Sequence, residues 1–140
     1  MCHLALLILL VQDLPDAPAK ATVQKICTSC HTLSVVVSKR RIKSDWQKSV
    51  EDMSGRGMKA TDEEMEAAVE YFSRYFGKIN INRADAAEIK NVVDLSEKEA
   101  AAVVKYREEN GDFKSFDGLA KVPGLEPKKI EERKERILFR

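Results

Sequence analysis

Apolar positions along the chain recur at helical spacing, and few runs alternate with period two. Between Ala19 and Ser29, Val23 and Ile26 fall on one face of a predicted helix. Ser44-Asp45-Trp46 opens a second, with Trp46, Val50 and Met53 at i, i+4 and i+7, and Ser54-Gly55-Arg56-Gly57 ends it. Thr61 with Glu64 three residues on is a capping-box pattern. The helix it starts carries Met65, Ala68, Val69, Phe72 and Phe76 as an apolar stripe, and Gly77 stops it. A new pattern then begins. Ile79-Asn80-Ile81-Asn82 precedes a short helix from about Ala84, with Asn82 as its cap. Ser96 caps a longer helix through Val103, Val104 and Tyr106, which Asn110-Gly111-Asp112 breaks. Phe113-Lys114-Ser115-Phe116 leads into a short helix ending near Lys121, and Val122-Pro123-Gly124-Leu125 is a tight turn. Glu126 or Pro127 starts the last helix, with Ile130 and Ile137 inward. Ile89-x-x-Val92-Val93-Asp94-Leu95 echoes Leu119-x-x-Val122-Pro123-Gly124-Leu125, so the second half reads as a pair of helix-turn-helix units.

The expected fold is all-α, with Gly77 as the boundary between a block of residues 12–77 and a block of residues 78–140. Residues 1–11 stand apart. Leu4 to Val11 is continuously apolar, too short for the roughly 20 residues of a membrane span. It fits the core of a secretory signal, although no Lys or Arg precedes it; a buried strand or helix end is the competing reading. No stable membrane span is expected.

With 140 residues, large barrel and doubly wound enzymes are excluded. The net charge of +1 is shared evenly between the blocks, so any nucleic-acid binding has to come from a local patch. Three Cys make a disulfide framework a poor explanation. No Ser/His/Asp set, paired carboxylates or phosphate loop is present, and no enzymatic activity is expected.

Cys27-Thr28-Ser29-Cys30-His31 is a C-x-x-C-H sequence, the attachment signature of c-type haem. Residues three apart on a helical turn share a face, so two such thiols reach two vinyl groups of one porphyrin, and the next residue, His31, reaches the iron. Zinc binding by the Cys pair needs two more ligands, and a thioredoxin-like pair needs a preceding strand. Met53, on the Trp46 face, is the expected sixth ligand, with Met58 as the alternative. The block resembles a small class I c-type cytochrome. That resemblance implies one covalently attached haem c, single-electron transfer to a redox partner protein and a periplasmic or otherwise extracytoplasmic location. The basic run Lys39-Arg40-Arg41 with Lys43 would meet haem propionates or that partner, unless it is a solvated face.

Lys78-Ile79-Asn80-Ile81-Asn82-Arg83-Ala84, Tyr106-Arg107-Glu108-Glu109-Asn110-Gly111-x-Phe113 and Val122-Pro123-Gly124-Leu125 make the second block resemble the tandem helix-hairpin-helix domain of competence-type DNA receptors. That family holds double-stranded DNA outside the cytoplasm without reading sequence. The resemblance implies phosphate binding at hairpin turns that start helices, here with Gly124, Lys128 and Lys129. The first hairpin departs from the Pro-Gly-Ile-Gly pattern, reading Val93-Asp94-Leu95-Ser96, and Glu126 replaces the second glycine of the other. These departures favour docking or scaffolding for this block of a periplasmic electron carrier. The alternative is an extracytoplasmic, sequence-independent DNA-binding protein whose haem is structural or redox-sensing.

Overall fold

The computed structural model describes residues 14–140. The apolar run 4–11 and the leader assigned to it lie outside the described residues.

Helix α1 (Lys20–Cys27) buries Val23 and Ile26, the two positions set by its spacing. After the single turn α2 (Leu33–Val36), α3 (Lys43–Gly55) turns Trp46 and Val50 inward. Helix α4 (Asp62–Phe76) starts with the full capping box. Thr61 accepts from Glu64 N–H, and the Glu64 carboxylate accepts from Thr61 N–H. The core of these helices centres on Trp46 stacked on Phe72, ring centroids 4.8 Å apart. Leu14, Val37, Ala68, Val69 and Tyr71 close around the pair. Tyr71 is buried through a contact that helical spacing does not show: its hydroxyl donates to the Pro15 carbonyl at 2.5 Å.

Gly77 ends α4 in extended conformation, with φ −87° and ψ 164°, so it is not a left-handed cap. Glycine is required for space instead, since a Cβ there would lie 1.8 Å from the Ser73 carbonyl oxygen. The chain is stitched at this point. Arg41 N–H donates to the Phe76 carbonyl, and Lys78 N–H donates to the Arg41 carbonyl.

Beyond Gly77 come β1 (Ile79–Asn80), α5 (Ala86–Glu88) running into a π-helical turn (Ile89–Val93), α6 (Glu97–Asn110), α7 (Phe116–Leu119), α8 (Pro127–Glu131), a 3₁₀ turn (Lys134–Arg136) and β2 (Ile137–Leu138). Their core draws on Ile81, Ile89, Val93, Val103, Leu119 and Ile130, each nearly or fully buried. The fold is all-α in class, with one small exception. β1 and β2 pair in parallel, Ile79 opposite Ile137 and Asn80 opposite Leu138. Ile137 is therefore inward as expected, but from a strand: the last helix stops at Glu131. Asn82 is also reassigned. Asp85 caps α5 in a capping box with Glu88. Asn82 instead accepts from Phe113 N–H at 2.8 Å and donates to the carbonyls of Phe113 and Phe139, tying three distant segments together. Among the described residues no helix is long and apolar enough to cross a membrane.

Candidate nucleic-acid interface

The second block holds two turns of matching geometry, thirty residues apart. In the first, the π-helical turn ends at Val93, and Asp94 takes a left-handed conformation, φ 61° and ψ 47°. Leu95 is buried, and Ser96 caps α6. In the second, Gly124 is left-handed with φ 83°, Leu125 is buried, and Glu126 precedes α8. Buried leucines at corresponding positions anchor both turns, so the hairpin backbone survives the loss of glycine at Asp94. Asp is among the few residues that tolerate this region.

Backbone donors at the two helix starts are not equally free. At α6, Ser96 N–H is taken by the Glu99 carboxylate at 2.7 Å, and Glu99 N–H by the Ser96 hydroxyl. At α8, Pro127 at the first position has no N–H to offer. Ser96 N–H, Glu99 N–H and the Pro127 position therefore offer no free backbone donor to a phosphate. Of the residues expected from the sequence, Gly124 and Lys128 are exposed at the second turn. Lys129 is not available in the same way. Its ammonium is 2.7 Å from Glu99 Oε2, and this ion pair joins the two hairpins. The Lys129 ammonium, helped by the Ser96 backbone and hydroxyl, holds the Glu99 carboxyl down at about 2 against the upward push of burial. Lys98 and Lys121 are exposed cations beside the two turns that the motif did not single out. Arg74, from α4 of the first block, also reaches the first turn, with Nη1 2.8 Å from the Asn91 carbonyl oxygen. Nothing in the local sequence signals this contact, because Arg74 belongs to the other block.

In the first block, Cys27, Cys30, His31, Met53 and Met58 all line one apolar cavity of about 290 Å³ beside Trp46. Their local setting differs from the expected one. α1 ends at Cys27, so Cys30 and His31 fall in the turn beyond it rather than on a continuing helical face. Cys30 and His31 are exposed, and His31 Nδ1 lies 3.4 Å from the Thr32 carbonyl oxygen. Burial pushes the Cys27 thiol up to about 11. The nearby basic run is used structurally. Arg40 donates to the carbonyls of Tyr75 and Gly77, Arg41 donates to Ser49 and lies 5.4 Å from the Trp46 ring centroid, and Lys43 pairs with Glu70.

Residues 75–138 match the helix-hairpin-helix motif family. The chain is 40% identical over 63 residues to an uncharacterized protein of Haemophilus influenzae, covering 44% of this chain and 56% of that protein. It is 36% identical over 59 residues to ComE operon protein 1 of Bacillus subtilis, covering 42% of this chain and 29% of that one. It is 42% identical over 48 residues to endonuclease/exonuclease/phosphatase family domain-containing protein 1 of Rattus norvegicus, covering 34% and 8%. The match thus spans little more than half of the first relative and far less of the others. No solved structure matches the chain. The second block thus carries the helix-hairpin-helix motif.

These findings overturn the electron-carrier expectation. The family match lies in the second block, and none of these three relatives is a cytochrome by name. Among the described residues no group of three or more His, Cys, Asp or Glu side chains is placed to hold a metal ion. Haem c, with Cys27, Cys30, His31 and Met53 or Met58 as its holders, is accordingly not assigned, and neither is electron transfer to a redox partner.

Proposed function

We propose that this chain binds double-stranded DNA without reading its sequence, through the helix-hairpin-helix domain. It does so outside the cytoplasm, as a binding protein and not as an enzyme. The observation that supports the reading best is the family match over residues 75–138 together with two hairpin turns, at Asp94 and Gly124, packed on one core. The second turn is the more open of the two. Gly124 brings the backbone close to a phosphate without a side chain in the way, and Lys128 and Lys121 flank it. Contacts of this kind position a duplex and discriminate no base. The extracytoplasmic setting draws on the resemblance to competence-type DNA receptors and on the signal-like run 4–11.

The test is fluorescence anisotropy with two labelled duplexes of unrelated sequence, each about two helical turns long, across a salt series. Binding is expected at low salt, equal for two unrelated sequences. It should weaken with added salt by a logarithmic slope of about −0.9 per phosphate neutralised. Absence of binding at the lowest salt overturns the proposal. So does a clear preference, on the order of tenfold or more, for one of the two sequences, since base readout is worth that much per discriminated pair.

A further inference from the structure

The first hairpin turn carries a carboxylate where its counterpart carries Gly124, and that carboxylate is engaged. Asp94 Oδ1 lies 3.8 Å from Arg74 Nη2, and Asp94 Oδ2 lies 3.4 Å from Arg133 Nη2. The two arginines come from far apart in the chain, Arg74 from the end of α4 and Arg133 from the segment after α8. Arg136 is close behind, donating to the Val92 carbonyl at 3.3 Å. Burial lowers its pKa, Arg40, Arg133 and Arg74 push it down further, and Asp94 opposes them. Three guanidiniums, those of Arg74, Arg133 and Arg136, thus gather at one hairpin end. Two other carboxylates face the group, Glu132 at 3.4 Å from Arg133 Nη1 and Glu135 near Arg40. Asp94 alone of the three sits in the turn itself. Arg133 Nε is buried and lacks a hydrogen-bond partner among the described residues. Asp94 and Arg74 remain open to solvent, with 57% and 42% of their side chains exposed.

A carboxylate and a phosphate oxygen present the same chemistry to a guanidinium: a planar or tetrahedral anion that accepts paired N–H groups. Resting on the proposed DNA binding, we infer that Asp94 is an internal phosphate mimic. Its carboxylate holds Arg74 and Arg133 in the DNA-free protein, and a backbone phosphate of the duplex competes with it for these guanidiniums. The first hairpin is therefore attenuated rather than dead, and Arg74 brings the first block into the DNA site.

The experiment compares wild type with Asp94→Asn in the same anisotropy assay. Asn tolerates the left-handed backbone and removes the charge, leaving one acceptor oxygen. Affinity at low salt is expected to rise roughly two- to fivefold, the range of one exposed ion pair. The salt slope should steepen by about 0.9 for each additional phosphate that the freed arginines neutralise. Adding Arg74→Ala to Asp94→Asn should remove most of the increase. Asp94→Gly, which relaxes the backbone at φ 61°, serves as a second variant should the first fold poorly, with circular dichroism as the control. Unchanged or weaker binding by a folded Asp94 variant, with wild type binding normally, overturns this inference and leaves the DNA reading intact. No binding by any of the proteins overturns both.

Discussion

Neutralising Glu99 while keeping its shape isolates the ion pair that joins the two hairpins. Glu99 Oε2 is 2.7 Å from the Lys129 ammonium and 2.7 Å from Ser96 N. Glu99→Gln keeps an amide oxygen for the capping box and removes only the charge. The carboxyl falls from 4.5 to about 2 in the folded protein, first because of the Lys129 hydrogen bond. At about 1.4 kcal/mol per pKa unit, the full drop sets a ceiling of about 3.5 kcal/mol. The side chains retain 13% and 27% exposure, and solvent screening brings the expected cost at pH 7 to about 1–2 kcal/mol. The sign follows from the folded pKa lying below the unfolded one. The stabilisation is complete above about pH 5, declines as pH falls through the window from 4.5 to 2, and is gone below it. Urea denaturation of wild type and variant at neutral pH and at two points down through that window reads the effect. The difference should shrink steadily as pH falls, and Lys129→Met should show the same trend. A difference that stays constant from neutral pH to the middle of the window, or no difference at neutral pH, would refute the reasoning.

Gly77→Ala places a methyl group 1.8 Å from the Ser73 carbonyl oxygen, so backbone has to move. A loss of about 3 kcal/mol is expected by denaturation, and a loss under about 0.5 kcal/mol would contradict the geometry. In reduced protein, iodoacetamide at mildly alkaline pH followed by peptide mapping should label exposed Cys30 first. Cys27, with its thiol pushed up to about 11 by burial, should label at a comparable rate only after denaturation. Equal labelling of both thiols in the folded protein would contradict the burial of Cys27.

Helix starts and buried faces were readable along the chain because both are local. A capping box needs only a few neighbouring residues, and a buried stripe needs one helix. Thr61 with Glu64, Ser96, Trp46 with Val50, and the turn at Gly124 all stand where their spacing puts them. The repeat of Val92-x-x-Leu95 in Val122-x-x-Leu125 likewise marked both hairpins. The cysteine motif shows the limit of such reading. Its residues line one cavity, yet the chemistry inferred from the motif was not supported by the family match or by a metal-holding cluster.

The sequence by itself determined an all-α chain, most of its helix starts, and the two hairpins of its second half. Tertiary structure alone decided the rest. It drew Ile137 into a strand beside Ile79, turned Asn82 from a cap into a tie to Phe113 and Phe139, and paired Lys129 with Glu99. It also set Arg74 against Asp94. Each of these joins residues that are remote along the chain and neighbours only in the folded protein. Their energies depend on distance in space, which no window along the chain contains.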